Sequence, residues 1–400
     1  MAETFDVLIV GGGMFGLTAA IELSSRGHRV GLIDPGPIPH PLAASTDISK
    51  VVRMAYGADE LYTEMGEQSI AGWKRWNEAW GETLYHETGV TMFTQKPMQP
   101  GGFEHDSYQL LTSRGHKLER LNADQIADRF PAWKRGTYVD GFFHAESGYA
   151  ESGRVVEKLA GMAHKQGVTL FPGQTFASLI ESGGANGRVT GVNTREGEKF
   201  FGGETLIAAG TWTHTLLPEL ASQMHSTGHP VFHLSPPHPE LFAPPNFAVF
   251  TAGITGTGWY GFPLNPRSGV VKVANHGIGQ RLHPEFDARI VTPEDEANLR
   301  AMLADTFPDL ANAPIVYTRR CLYCDTLDEN FWIDHHPHKQ GLTVAAGDSG
   351  HGFKFAPVMG TTIADAVERK ANQWLPRFRW REVEPEAYGQ EASRHHEGEN

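Results

Sequence analysis

Three glycines, one acid and a few nitrogen- and sulfur-bearing clusters carry the legible chemistry of this 400-residue chain. Gly11, Gly13 and Gly16 form G-x-G-x-x-G directly after the apolar run at residues 7–10, and Asp34 follows 18 residues after Gly16. In that spacing Gly11 permits a tight turn, Gly13 lets the backbone approach a pyrophosphate, and Gly16 lets a helix pack closely on a strand. Met14 and Phe15 lie within this turn as further cofactor-binding candidates, and the N–H groups and positive dipole end of the helix that follows favour an anion. Asp34, at the tip of a second strand, can accept hydrogen bonds from ribose hydroxyls and would repel a 2′-phosphate, which argues against NADP. The stretch by itself leaves FAD and NAD open.

Further candidates lie late in the chain. Cys321 and Cys324 make a C-x-x-C inside YTRRCLYCDT, which reads as extended. In a strand these two sulfurs point to opposite faces, whereas Cys321 and Tyr323 share one. The helix that follows a redox pair, and the second pair of a zinc site, are both missing from the pattern. In GVVKVANH, Lys272, Ala274 and His276 alternate with Val271 and Val273. A lysine among valines is costly to bury unless its charge is used, although an edge strand with its polar face in water fits the pattern as well. GDSGHGFKFAP, with Lys354 in the turn, is a second place where a helix start can meet an anion. Lys50 and Arg53 sit three apart after Ser45 and Thr46, a spacing that predicts a short capped helix with both cations on one face. The histidines of DHHPHK have no second ligand cluster at metal spacing, so that loop reads as solvated and no metal is expected.

The elements that must position these residues follow from periodicity and punctuation. Helices are predicted over 17–26, 61–80, 124–130, 150–166, 293–305 and 357–369, the last opening on Pro357. Trp73, Trp76 and Trp80 fall on one side of the second of these, a stripe expected in the core. Strands are predicted over 28–33, 205–210 and 342–347, with β-rich stretches over 85–141 and 225–323 and a polar, disordered tail over 382–400. Elements in the style of the glycine turn therefore occur at both ends and in the middle. The expected fold is α/β: a Rossmann-like nucleotide domain interleaved with a β-rich, antiparallel substrate domain. The nucleotide domain is assigned residues 1–85, 144–224 and 326–381, and the substrate domain 86–143 and 225–325.

Composition narrows the partners. A net charge of −13 offers no electrostatic footprint for nucleic acid or an anionic membrane. No apolar run approaches the roughly 20 residues of a spanning helix. The chain opens directly on its first strand, leaving no room for a signal peptide, and two cysteines fit a reducing compartment. A soluble, cytoplasmic protein acting on a small molecule is expected.

Taken in order, the glycine turn, Lys50 and Arg53 ahead of MAYG, LIAAGTWT, WYGFP, VVKVANHGIGQ, RRCLYCDTLDENFWID and GDSGHGFKF resemble the monomeric sarcosine oxidase family. That family includes N-methyl amino acid oxidases and amadoriases, and the likeness runs to about Arg381. It implies a D-amino acid oxidase/sarcosine oxidase-like fold and a monomeric flavoprotein. Such an enzyme oxidises the secondary amine of an N-substituted amino acid with O2, releasing hydrogen peroxide. The resemblance implies FAD joined covalently to Cys321, Lys272 over the flavin face activating O2, and Arg53 and Lys354 holding the substrate carboxylate. Tyr260 and Tyr323 would frame the amine, with His276 in the pocket. The FAD contacts it implies extend to Ser45, Thr46, Lys50, Val168, Gly210, Trp212, Asp348, Gly350, His351, Gly352 and Lys354. Lys50 replaces an arginine of the sarcosine oxidases. DPGPIPHPLAASTDISK and FRWR look like amadoriases, yet YGFPLNPRSG lacks the acid that amadoriases carry there. The alternatives are a flavin oxidase of another amino or cyclic imino acid, and a non-catalytic flavoprotein.

Overall fold

The run ahead of the glycines forms the strand Thr4–Val10, buried on both faces over its last four residues, as a central parallel strand requires. It lies between Val30–Asp34 and Lys199–Ile207, parallel to both, with Val7 opposite Val30 and Glu204. Thr169–Pro172 continues the parallel set beyond Val30–Asp34, and Leu342–Ala346 does so beyond Lys199–Ile207. Phe176–Ser182, Arg188–Thr194 and Trp332–His335 add antiparallel strands. The helix Met14–Ser25 bridges the first two strands, and Leu17, Ala19, Ala20 and Leu23 are buried. Helix Ala356–Val367 crosses it at Gly360, where a Cβ would stand 2.6 Å from the Thr18 carbonyl oxygen.

This computed structural model describes residues 4–183, 187–389 and 391–394. The chain divides into two compact units, of which the sheet above belongs to the first: Met1–Ile48, Glu151–Thr227 and Leu322–Gln390. The second comprises Ser49–Ala150, Gly228–Cys321 and Glu391–Asn400. The division differs from the expected one chiefly over residues 49–85, which pack with the second unit.

In the second unit Val271–Asn275 runs antiparallel between Met224–Leu234 and Trp259–Gly261. Val249–Ala252 follows, parallel to Val90–Thr94, which pairs with Asp140–His144 and through it with Leu118–Arg120. One parallel pair thus interrupts the antiparallel pattern. The core is aromatic: Trp133 meets Phe93, Tyr138, Phe250 and Phe307 with ring centroids 4.7–5.8 Å apart. Helix Glu60–Trp80 is capped by Asp59 and ended by Gly81 at φ 60°. Of its tryptophan stripe only Trp73 is fully buried; Trp76 and Trp80 are half-buried.

Three expectations fail here. Residues 47–53 do not form a helix: Lys50–Val52 is a strand, with Val51 opposite Tyr149. Paired strand hydrogen bonds and two consecutive valines outweigh the local capping signal. The polar tail is partly ordered, since Glu391, Ser393 and Arg394 are buried in the second unit. Residues 390 and 395–400 lie outside the described residues. The DHHPHK loop is not simply solvated either, because His336 is buried against Glu219 and His335 faces Glu204. No helix among the described residues is long and apolar enough to cross a membrane.

Candidate functional site

In the first unit the glycine turn is built as its spacing requires. Gly11 has φ 112°, and a Cβ there would lie 2.4 Å from the Ala208 carbonyl oxygen. A Cβ on Gly16 would stand 1.9 Å from the Gly11 oxygen, so the turn folds only without side chains at both places. Gly13 caps helix Met14–Ser25 without any side-chain hydrogen bond, while Met14 and Phe15 are buried. A buried helix start that no side chain caps is the donor set an anion completes. The residues present therefore fit a dinucleotide pyrophosphate.

Asp34 does more than its motif role. Its Oδ2 accepts from the Gly12 N–H at 2.7 Å and its Oδ1 from the Gly36 N–H at 3.0 Å. Burial pushes its carboxyl above the usual range against those two bonds. Ser45 Oγ stands 3.5 Å from the place of a Gly13 Cβ, and the Thr46 N–H donates to Ala43. Val168 is buried beside the strand Thr169–Pro172, and Gly210, at φ 51°, opens the turn Gly210–Trp212.

The late glycine turn packs onto the same unit. Asp348 accepts from the His351 and Gly352 N–H groups through its carbonyl oxygen at 2.8 and 3.1 Å. A Cβ on Gly350, at φ 73°, would meet the Tyr323 ring at 2.3 Å, and one on Gly352 would lie 3.3 Å from the Phe15 ring. Gly352 thus brings this turn against the start of helix Met14–Ser25. The His351 ring stacks on Phe331, and its Nε2 bonds the Glu329 oxygen. Lys354 is buried with its Nζ donating to the His351 oxygen at 2.7 Å.

The second unit gathers charged side chains. Lys272 is 1% exposed on an interior strand, which excludes the water-facing edge. Its Nζ donates to the Ser49 oxygen at 2.6 Å and stands 4.7 Å from the Phe262 ring centre. Lys50 Nζ lies 3.9 Å from Cys321 Sγ. Cys324 contrasts: it packs 3.9 Å from Met224 Sδ in the first unit, and burial pushes its thiol up. Arg53 is buried, with its guanidinium over Tyr56 at 4.6 Å and Phe103 at 5.5 Å. Because residues 50–52 are a strand, Lys50 and Arg53 diverge rather than sharing a face. The Tyr260 and His276 rings lie 6.4 Å apart.

Sequence reasoning missed Glu391 and Ser393. Arg53 Nη2 donates to Ser393 Oγ at 2.7 Å and lies 3.5 Å from Glu391 Oε1. Glu391 Oε2 meets His276 Nε2 at 3.2 Å, and the Glu391 side chain is 1% exposed. A single acid in a polar tail has no periodic signal that would mark it. The candidate residues divide between the units: Lys50, Arg53, Tyr260, Lys272, His276 and Cys321 belong to the second, and the dinucleotide set with Tyr323 and Lys354 to the first.

Known proteins resemble this chain over most of its length. The monomeric sarcosine oxidase of Bacillus sp. (strain NS-129) is 28% identical over 373 residues, covering 91% of this chain and 93% of that protein. The N-methyl-L-tryptophan oxidase of Salmonella arizonae is 26% identical, covering 94% and 98%. The crystal structure of Aspergillus fumigatus Amadoriase II in complex with FSA superposes with a TM-score of 0.82 at 24% identity, covering 100% and 95%, and shares the fold. Residues 6–366 match the family described as FAD dependent oxidoreductase, DAO. With nine-tenths of its length in that match and the glycine turn intact, the chain belongs to the DAO family of FAD-dependent oxidoreductases.

Proposed function

We propose that this oxidoreductase acts on the secondary amine of an N-substituted amino acid with O2 as acceptor, yielding an imine that hydrolyses and hydrogen peroxide. The observation that carries the reading is the pair of buried cations in the second unit, Arg53 and Lys272, set with His276 and Tyr260 in one unit. Buried cations are expensive unless negative charge compensates them; Arg53 has Glu391 beside it and Lys272 the Ser49 oxygen, and an anionic substrate and developing charge on dioxygen would add to that compensation. Sarcosine and N-methyl-L-tryptophan, in the names of the relatives, are both N-substituted amino acids.

FAD, when bound, supplies the acceptor for the hydride equivalent and its return to O2. The chain's own residues do the rest. Arg53 is proposed to hold the substrate carboxylate, a role the resemblance also gives to Lys354. Tyr260 and Tyr323 are assigned the walls around the amine and His276 a polar contact to it. Lys272 offers a fixed positive charge where dioxygen gains electrons. Cys321 is the proposed covalent anchor of FAD, since Lys50 accompanies its sulfur, whereas Cys324 packs against Met224 and burial pushes its thiol up. Neither Trp259–Gly261 nor Val271–Asn275 carries an acid, which favours a sarcosine-type substrate over a fructosyl one. The protein is proposed to work as a cytoplasmic monomer; size-exclusion chromatography tests the monomer.

A peroxide assay over sarcosine, N-methyl amino acids, pipecolate, fructosyl-glycine and fructosyl-lysine tests the function. Turnover of an N-methyl amino acid above the rest is the expected result; turnover of none overturns it. Acid precipitation should leave the flavin on the unmodified protein, and Cys321→Ser should release it while Cys324→Ser does not.

A further inference from the structure

We propose that His116, His144 and Glu146, in the second unit, form a binding site for a divalent transition metal of the zinc class. None of the three takes part in the chemistry assigned above. His144 ends the strand Asp140–His144, and the register that sets Leu118 opposite it brings the residues just before Leu118 alongside. His116 is held there by its N–H bond to the Leu111 oxygen. The chain then turns back, with Ser147 N–H reaching the His144 oxygen, and presents Glu146 to both rings.

The donor geometry matches a metal. One ligand atom from each residue falls within 4.8 Å of the others. Glu146 Oε2 stands 2.9 Å from His116 Nδ1 and 3.7 Å from His144 Nε2. Tetrahedral zinc with bonds near 2.0–2.1 Å places neighbouring donors about 3.3 Å apart, between those two separations. The His116 and His144 rings lie 5.6 Å apart at 67°, so their nitrogens converge rather than stack.

Each histidine is also oriented from behind. His116 Nε2 bonds Glu67 Oε1 at 2.9 Å, and Glu67 in turn accepts from Arg114 Nε and Nη2 at its two carboxylate oxygens. His144 Nδ1 lies 3.2 Å from Ser147 Oγ. A carboxylate or hydroxyl on the far nitrogen fixes the tautomer that turns the near nitrogen toward a metal.

His144 supplies the independent sign of a missing ligand. Its side chain is 3% exposed, and its Nε2 has no hydrogen-bond partner among the described residues. A buried polar atom left unmatched is unfavourable, and a metal beside Glu146 would match it. Glu146 is half-exposed, which leaves a solvent-facing fourth position for a water ligand. Two imidazoles and one carboxylate suit zinc and its neighbours rather than calcium or magnesium, which take oxygen sets.

The three residues come from two separate stretches that only the sheet register joins, so no local metal spacing marks them in the sequence. The test uses untagged holoenzyme, stripped with a chelator and titrated with zinc chloride by calorimetry, beside Glu146→Gln and His144→Gln. The expected result is one zinc per chain at micromolar or tighter affinity, weakened about 100-fold or more in either variant. Zinc should also raise the melting temperature of the unmodified protein and not that of Glu146→Gln. The proposal fails if the unmodified protein takes up no zinc, or if Glu146→Gln binds it equally well. Glu146 is half-exposed, so this variant keeps the test open should His144→Gln fold poorly.

Discussion

The two units solve the problem of binding in opposite ways. The first meets its ligand with backbone: Gly11, Gly13 and Gly16 clear space, and the uncapped start of helix Met14–Ser25 supplies N–H groups. The second, on the proposed reading, meets it with side-chain charge: Lys272, Arg53, His276 and Glu391 come from three separated stretches and are all buried. A backbone site tolerates almost no change of volume. A side-chain site tolerates changes of volume but not of charge. The expected effects of mutation should separate along that line.

The sharpest break lies in the first unit. Gly16→Ala would force a Cβ to 1.9 Å from the Gly11 oxygen, backbone against backbone, with no flexible atom to give way. The expected result is a flavin-to-protein ratio near zero, read from the absorption spectrum. Gly161→Ala is the control, because nothing lies within 4 Å of its Cβ position. It sits in helix Ser152–Lys165 and should stabilise by about 0.5–1 kcal/mol. Full flavin content in Gly16→Ala would erase the distinction between the units.

The next effect belongs to Lys272. A fixed ammonium stabilises negative charge that exists only once dioxygen has begun to gain electrons, so it lowers the barrier of that half-reaction. Lys272→Met should slow reoxidation by O2 roughly 10²–10³-fold, the scale of one lost electrostatic donor. Anaerobic reduction by substrate should slow much less. Stopped-flow measurement of each half-reaction decides between this and a packing role, in which both would fall together.

Arg53 comes third. Charge-assisted hydrogen bonds are worth roughly 1.5–3 kcal/mol, so Arg53→Met should weaken amino acid substrates by about 10- to 150-fold. An amine lacking the carboxylate should lose far less. Equal losses for both would make Arg53 a structural residue held by Tyr56, Phe103 and Ser393.

What the sequence disclosed follows the same division. The strand, turn, helix and acid from residue 4 to Asp34 are contiguous, and their local preferences agree with the final fold, so spacing alone carried them. Lys272 was visible as a lysine among valines, but its strand was interior rather than edge, a fact set by pairing with Met224–Leu234 and Trp259–Gly261. For Lys50 and Arg53 the local capping signal points to a helix, whereas the partner strand Gly148–Ala150 that makes residues 50–52 a strand is about a hundred residues away. Glu391 was hidden altogether. Its burial depends on Arg53 and His276, and nothing in the neighbouring polar residues encodes those partners.

Glu391 is therefore where the comparison can be made finest. Its carboxylate lies 3.5 Å from Arg53 and 3.2 Å from His276, the kind of contact a substrate carboxylate would make with the same arginine. Two carboxylates near one guanidinium repel, so if Arg53 holds the substrate carboxylate as proposed, an incoming amino acid must share or displace what Glu391 holds. Glu391→Gln keeps the volume and the hydrogen-bonding reach, including the bond from Ser393, while removing the charge. A neutral in place of a charged partner is a difference of about 1 kcal/mol, or roughly a fivefold change in affinity. KM for carboxylate-bearing amines should fall by about that factor, with kcat little altered and carboxylate-free amines unaffected. The opposite sign is just as informative. If KM rises for both classes, Glu391 orients Arg53 and His276 rather than standing in the substrate's place, and the second unit's charges act as a prearranged set, as the first unit's backbone does.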